Sequence, residues 1–219
     1  VYAVTGRLDD AWGEVHQALT NNRSGDAIDR RLSIWIPGTI KNWQGEYAEA
    51  SRLLSEAMRL AREQNLLFPL LYICFTYGVT LTGKGDYDEA LAVLQEGLAL
   101  AEKVGAEVLR PRLLNSLGWL YMEIGDFDRA LDLNRQGAEG ARKRGDPEII
   151  ANAELNLGDS FLTQGDLLLA QECLDGVYRL VHDPTTSERM KWRYSMHLFV
   201  SLGELWLARG EPARLRRFY

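Results

Sequence analysis

The chain is predicted to be all-α, a solenoid of stacked antiparallel helix pairs. Three observations say so. Glycines recur at a long fixed interval: Gly45, Gly85, Gly125 and Gly165 lie 40 residues apart, and Gly210 follows 45 later. A second glycine stands seven residues upstream of each, at Gly38, Gly78, Gly118, Gly158 and Gly203. Between these marks, apolar residues recur at the three- and four-residue spacing of amphipathic helices. A period of this length denotes a repeat array, in which each unit buries its apolar face against its neighbours.

The units follow in order. Gly6 occupies the turn position, and Tyr2 falls on the aromatic position four before it, so Val1 is expected to begin inside a first helix of a partial unit, 1–25. Complete units are expected at 26–65, 66–105, 106–145 and 146–185, and a truncated one at 186–219. Unit 66–105 shows the pattern. Leu67, Leu70, Leu71, Phe75, Val79 and Leu81 form a first apolar stripe, the segment Gly83-Lys-Gly85-Asp turns the chain, and Tyr87, Ala90, Leu91, Leu94, Leu98 and Ala101 form a second. Asn65, Gly105 and Gly145 close successive units. Glycine and asparagine tolerate the left-handed conformation that ends helices, so all three are read as C-terminal caps. Asp146-Pro147 then opens the next helix, with a carboxylate to cap it and a proline suited to its first turn.

Small residues are expected where the two helices of a pair cross. Gly78 and Ala90, Gly118 and Ala130, and Gly158 and Ala170 are each 12 apart, which would let the backbones approach to about 8 Å. The aromatics Tyr47, Tyr87 and Phe127 would cover that contact, with Leu167 in their place in the next unit. One irregularity, a five-residue insertion within 181–189, precedes the last unit. There Pro184 breaks the helix, and Thr185 with Glu188 fits a capping box opening the next one. The sequence starts at Val1 rather than Met, and Gly210 to Tyr219 begins a second helix in which Leu215 stands where alanine is expected. Both ends fall inside units, so a slice of a longer solenoid is expected, with apolar cut ends that favour self-association.

These residues resemble the tetratricopeptide repeat. The family's small, aromatic and alanine positions fall on Gly118, Tyr121, Gly125, Phe127 and Ala130, on Gly78, Leu81, Gly85, Tyr87 and Ala90, and on Gly158, Phe161, Gly165, Leu167 and Ala170. The chain departs from the usual unit of about 34 residues. Its closing proline is absent, and Gly97, Gly137 and Val177 stand where alanine is usual. The 40-residue form is similar to the C-terminal repeat region of maltose-activator-like and cyclase-linked bacterial signalling ATPases, as is the stretch from Met190 to Gly210. The resemblance implies a right-handed superhelix whose concave groove is lined by the first helices. It implies a scaffold or sensor module that binds a peptide, a protein or another domain of its own polypeptide. The alternative is a receptor for a small effector, with a sugar-sized ligand stacked on Trp35 or Trp119.

By that analogy the groove is lined by Leu32, Trp35, Thr39 and Asn42; by Tyr72, Phe75, Val79 and Thr82; by Arg112, Asn115, Trp119 and Met122; and by Asn152, Leu155, Asp159 and Leu162. Trp35, Tyr72, Phe75 and Trp119 are the candidate anchors, since aromatics are enriched at binding hot spots. Asn42, Arg112, Asn115 and Asn152 are the candidate polar grips on a peptide backbone or carboxylate. The competing reading puts Trp35, Phe75 and Trp119 in the core between units. Trp206 lies on the aromatic core position and is read as structural.

Other chemistry finds little footing. Net charge is −6, and the basic residues Arg209, Arg214, Arg216 and Arg217 read as a solvated helix face, so no direct nucleic-acid contact is expected. No apolar run reaches membrane-spanning length, and no leader opens the chain. Cys74 and Cys173 fall in different units and read as small core residues of a reduced, cytoplasmic protein. That makes Asn22-Arg-Ser24 a glycosylation signal by letter only. Gly78 to Gly85 looks like a phosphate-binding loop, but Gly85 follows the lysine where Ser or Thr must hold magnesium. His16, His182 and His197 are far apart, so no metal or other cofactor is expected. The acids Asp86, Asp88, Glu89, Asp126 and Asp128 recur with the repeat at helix starts, where they favour the dipole. No catalytic constellation emerges, and the chain is read as non-enzymatic.

Overall fold

The structure, a computed structural model, describes residues 7–21 and 35–217. Tyr2, Gly6 and Leu32 lie outside them, as do the side chains of His16 and Leu215. The described residues form ten α-helices and a closing 3-10 turn, with no strand among them. The helices are α1 (Leu8–Asn21), α2 (Ile36–Trp43), α3 (Tyr47–Glu63), α4 (Leu67–Lys84), α5 (Tyr87–Val104), α6 (Arg110–Glu123), α7 (Phe127–Arg144), α8 (Pro147–Gln164), α9 (Leu167–His182) and α10 (Glu188–Ala208). They gather into two compact units, residues 1–116 and 117–219, with the boundary inside α6.

One device ends eight of these segments. The amides of Glu46, Leu66, Asp86, Ala106, Asp126, Asp146, Asp166 and Glu211 each donate to the carbonyl five residues back, over 2.8–3.1 Å. The residue before each has positive φ: Gly45, Asn65, Gly85, Gly105, Gly125, Gly145, Gly165 and Gly210. This is the Schellman closure, which satisfies orphan carbonyls through a left-handed residue. The turn within a helix pair and the turn between pairs are therefore the same motif. The end of α9 departs from it. Asp183 is extended, at φ −65° and ψ 129°, because the ring of Pro184 disfavours helical backbone in the residue before it.

In the first unit α2 packs on α3, α3 on α4 and α4 on α5, while α1 leans on α2 and the first helices α2 and α4 touch. In the second unit α7 packs on α8, α8 on α9 and α9 on α10, with α8 and α10 in contact. Leu155, Leu174, Val177, Leu198 and Leu205 form the fully buried centre of the second unit. Leu155 is thus a core residue, not the groove residue that the analogy made it.

Three details correct the sequence reading. The crossing glycines accommodate the residue 16 positions on, not the alanine 12 on. A Cβ on Gly38, Gly78, Gly118 or Gly158 would lie under 3 Å from side-chain atoms of Leu54, Leu94, Asn134 or Leu174 respectively. The reason is hairpin symmetry: Gly78 and Leu94 stand equally far from the turn at Asp86, and Ala90 is buried one helical turn closer to it. Tyr47 lies over Gly83 of α4, at 3.0 Å from where a Cβ would stand, so its ring covers the next first helix. Finally, Ser187 rather than Thr185 caps α10, accepting from the Met190 amide. Thr185 instead donates its amide and its hydroxyl to Asp183 Oδ1, at 2.7 and 2.5 Å, and so folds the inserted loop back on the end of α9.

Candidate functional site

In the first unit the candidate residues separate by burial. Trp35, at the N-cap of α2, and Tyr72, on α4, are half-buried and stack with ring centroids 5.3 Å apart at 18°. Phe68, one turn before Tyr72, tilts against it at 5.1 Å and is 63% exposed. Sequence reasoning passed over Phe68 because it precedes the positions assigned by analogy; its four-residue spacing from Tyr72 was the available signal. Phe75 and Arg112 are half-buried. Asn42 and Asn115 are buried and present almost no surface to a partner. Asn42 Oδ1 lies 2.9 Å from the Thr80 hydroxyl, which also sits 2.8 Å from the Thr76 carbonyl. The assignment of Asn42 and Asn115 as polar grips is therefore replaced by a place in the core. First helices bury polar residues where a neighbouring first helix supplies partners.

In the second unit Trp119, on the C-terminal half of α6, and Asn152, on α8, are half-buried. The Trp119 indole Nε1–H donates to Glu123 Oε1 at 2.8 Å, which holds the ring against its own helix. Beside it lies an open cleft of about 320 Å³ lined by Met122, Glu123, Phe127, Asp159, Thr163 and Glu204. A second open cleft, about 470 Å³, runs past Ile124, Gly125, Asp126, Phe127, Asp128 and Gln164. In the first cleft, Asp159 Oδ2 is 2.6 Å from Nε2 of His197 on α10. Burial opposes charge on this imidazole, but the hydrogen bond and the negative charge of Asp159, with Glu204 beyond, outweigh it and hold His197 above its ordinary pKa. Neither His197 nor Glu204 was a candidate. Both occupy first-helix positions, 45 residues after Asn152 and Asp159.

The remaining motifs are absorbed by the fold. Cys74 and Cys173 are free thiols, each pushed up to about 12 by burial, which makes them inert packing groups. The stretch resembling a phosphate loop is helix α4 as far as Lys84, with the hydroxyls of Thr80 and Thr82 turned back onto the carbonyls of Thr76 and Gly78. Arg209 donates to the Leu167 carbonyl at 2.9 Å and to Gln171 Oε1, tying the end of α10 to the start of α9. Among the described residues no three His, Cys, Asp or Glu side chains are grouped to hold a metal ion, and no helix is long and apolar enough to cross a membrane.

No curated protein sequence matches the chain. Among solved structures it is similar to the crystal structure of BtubC (BKLC) from P. vanneervenii, with a TM-score of 0.65 and 17% identity over 97% of this chain and 85% of that one. At that identity the likeness shows the fold alone. The family described as the MalT-like TPR region matches residues 1–218. The periodic glycines, the paired helices and that match agree, and the chain belongs to the MalT-like TPR region family.

Proposed function

We propose that the chain is a protein-interaction module of a larger regulatory protein, binding a peptide or protein segment on the exposed side of its first helices. The observation that carries this reading is the row of half-buried aromatics on those helices: Trp35, Tyr72 and Phe75 in the first unit and Trp119 in the second. A pure core position would bury such rings, and a solvated face would not carry them; partly exposed, rigid aromatics are the usual anchors of a binding surface. Arg112 and Asn152, also half-buried, supply polar contacts beside them. No nucleophile, base or metal group stands near these rings, which supports a non-catalytic role.

A second reading makes the module a receptor for a small effector. The stacked pair Trp35–Tyr72, extended by exposed Phe68, offers flat ring faces to such a ligand. The two clefts of the second unit are open rather than enclosed, which favours the peptide reading. Peptides selected from a displayed random library against the intact chain separate the two. Their affinity is expected to fall about tenfold or more in Trp35→Ala or Trp119→Ala. If no peptide is selected, and an oligosaccharide panel instead quenches the tryptophan fluorescence, the receptor reading replaces it.

A further inference from the structure

We infer that the cleft between α6, α8 and α10 in the second unit is a recognition site for an arginine side chain of the partner. This inference rests on the interaction-module reading above and names the chemistry of that partner. The acids of the cleft are its first support. Glu123, Asp159 and Glu204 come from three successive first helices and line one opening of about 320 Å³, and no basic residue lines it with them. The fold does not call for these charges. The position of Asp159 and Glu204 is occupied in the other units by Thr39, Val79 and Trp119, so packing accepts a methyl, a hydroxyl or an indole there. The acids at the turns are different. Asp126 and Asp166 accept from backbone amides at the starts of α7 and α9, which explains them.

The second support is an unfinished hydrogen bond. Asp159 gives Oδ2 to His197, but its Oδ1 is buried with no hydrogen-bond partner among the described residues. A buried carboxylate oxygen calls for a donor, and a charged donor suits it best. The third support is shape and lining. Phe127 and Met122 form apolar walls, and Trp119 stands one turn from Glu123, pinned to it by the indole N–H. A guanidinium is planar and weakly hydrated. It stacks on aromatic faces while its fork of N–H groups meets carboxylates, and an ammonium has no such face. One arginine can therefore lie along Phe127, donate to Asp159 Oδ1 and answer the charge of Glu204 and Glu123 together. The occupant is an extended segment of a protein partner, because the cleft is open at the surface and continuous with the first-helix residues already assigned to a peptide.

The test uses the intact chain and two labelled eight-residue peptides, one Gly-Ser peptide carrying a single central arginine flanked by two tryptophans and its partner with citrulline in place of that arginine. Citrulline keeps the shape and removes the charge. Binding by fluorescence anisotropy is expected to favour the arginine peptide by about tenfold, and Glu204→Gln, at an exposed position, is expected to erase most of that preference. Asp159→Asn should do the same, with circular dichroism confirming that helix content is retained. Glu139→Gln with Glu172→Gln, which removes two exposed charges elsewhere in the same unit, should leave the preference intact. Equal binding of the two peptides overturns the arginine site while leaving the interaction reading standing. So does an equal loss in the Glu139/Glu172 control, which would reduce the effect to general attraction by an acidic chain. Binding of spermidine with neither peptide bound would move the site to a small polyamine and would count against the interaction reading as well.

Discussion

Asn134 is the residue that most breaks the pattern of its own chain. Leu54, Leu94 and Leu174 fill the corresponding positions against the crossing glycines, and all four side chains are fully buried. Asn134 Nδ2 donates to the Ala130 carbonyl at 2.9 Å, and its Oδ1 accepts from Asn156 Nδ2 at 3.1 Å, so the amide is satisfied where leucine would only pack. The pair His197–Asp159 is the other polar contact that the repeat does not require, and it makes stability depend on pH. Asp159 on α8 and Glu204 on α10 face the imidazole, and together they raise its pKa in the folded state. A raised pKa means that protonation favours folding: the contribution is full below the unfolded value, about 6.5, and is lost as pH rises through the higher folded value. His197→Gln keeps a donor but cannot charge. Its melting midpoint is expected to fall below that of the native chain at pH near 5.5 and to approach it near 8.5. A larger deficit at the alkaline end would mean that Asp159 does not stabilise the imidazolium.

At the scale of elements, the boundaries are written in the backbone. Gly145 at φ 66° ends α7, and Asp146 accepts from the amides of Glu148 and Ile149, both at 3.1 Å, to start α8, with Pro147 following it. Both features were legible, because a glycine stop and an aspartate-proline start act through local geometry alone. The start of α10 was not legible: Thr185, Thr186 and Ser187 all suit a cap, and only the extended backbone at Asp183 and the turn it accepts from Thr185 leave the task to Ser187. Asp86 occupies an N-cap without making a side-chain cap bond. Asp146→Ala is accordingly expected to cost about 1–2 kcal/mol by urea unfolding, and Asp86→Ala distinctly less. Equal costs would show that the two amide bonds of Asp146 add nothing.

The whole chain is a set of near-neighbour contacts in two compact units, and that predicts how damage spreads. Gly97 on α5 has no room for a methyl group: a Cβ there would stand 2.7 Å from Cys74 Cβ and 3.0 Å from Leu113 Cδ2. Cys74 Cβ is fixed to the backbone of α4 and cannot swing away. Gly97→Ala is therefore expected to destabilise by about 1–3 kcal/mol through overpacking, more than the helix propensity it gains. In an array stabilised by neighbours, that loss should fall on α4, α5 and the adjoining helices first. Hydrogen exchange of intact Gly97→Ala is expected to show lowered protection there, with α9 and α10 close to native rates. A uniform loss along the chain would show instead that both units unfold as one.

The sequence by itself determined the helix pairs, their 40-residue period, the left-handed stops from Gly45 to Gly210 and the first-helix position of Trp35, Tyr72, Phe75 and Trp119. Each of these depends on backbone geometry or on spacing along one helix, and both are local. Tertiary structure alone decided that Gly78 receives Leu94 rather than Ala90, that Asn42 and Asn115 turn into the core, and that Asp159 finds His197 beside an acidic cleft. Those outcomes depend on the rotation of each helix about its own axis. That rotation is set by how one helix packs against the next, and a periodic pattern read along a single chain does not contain it.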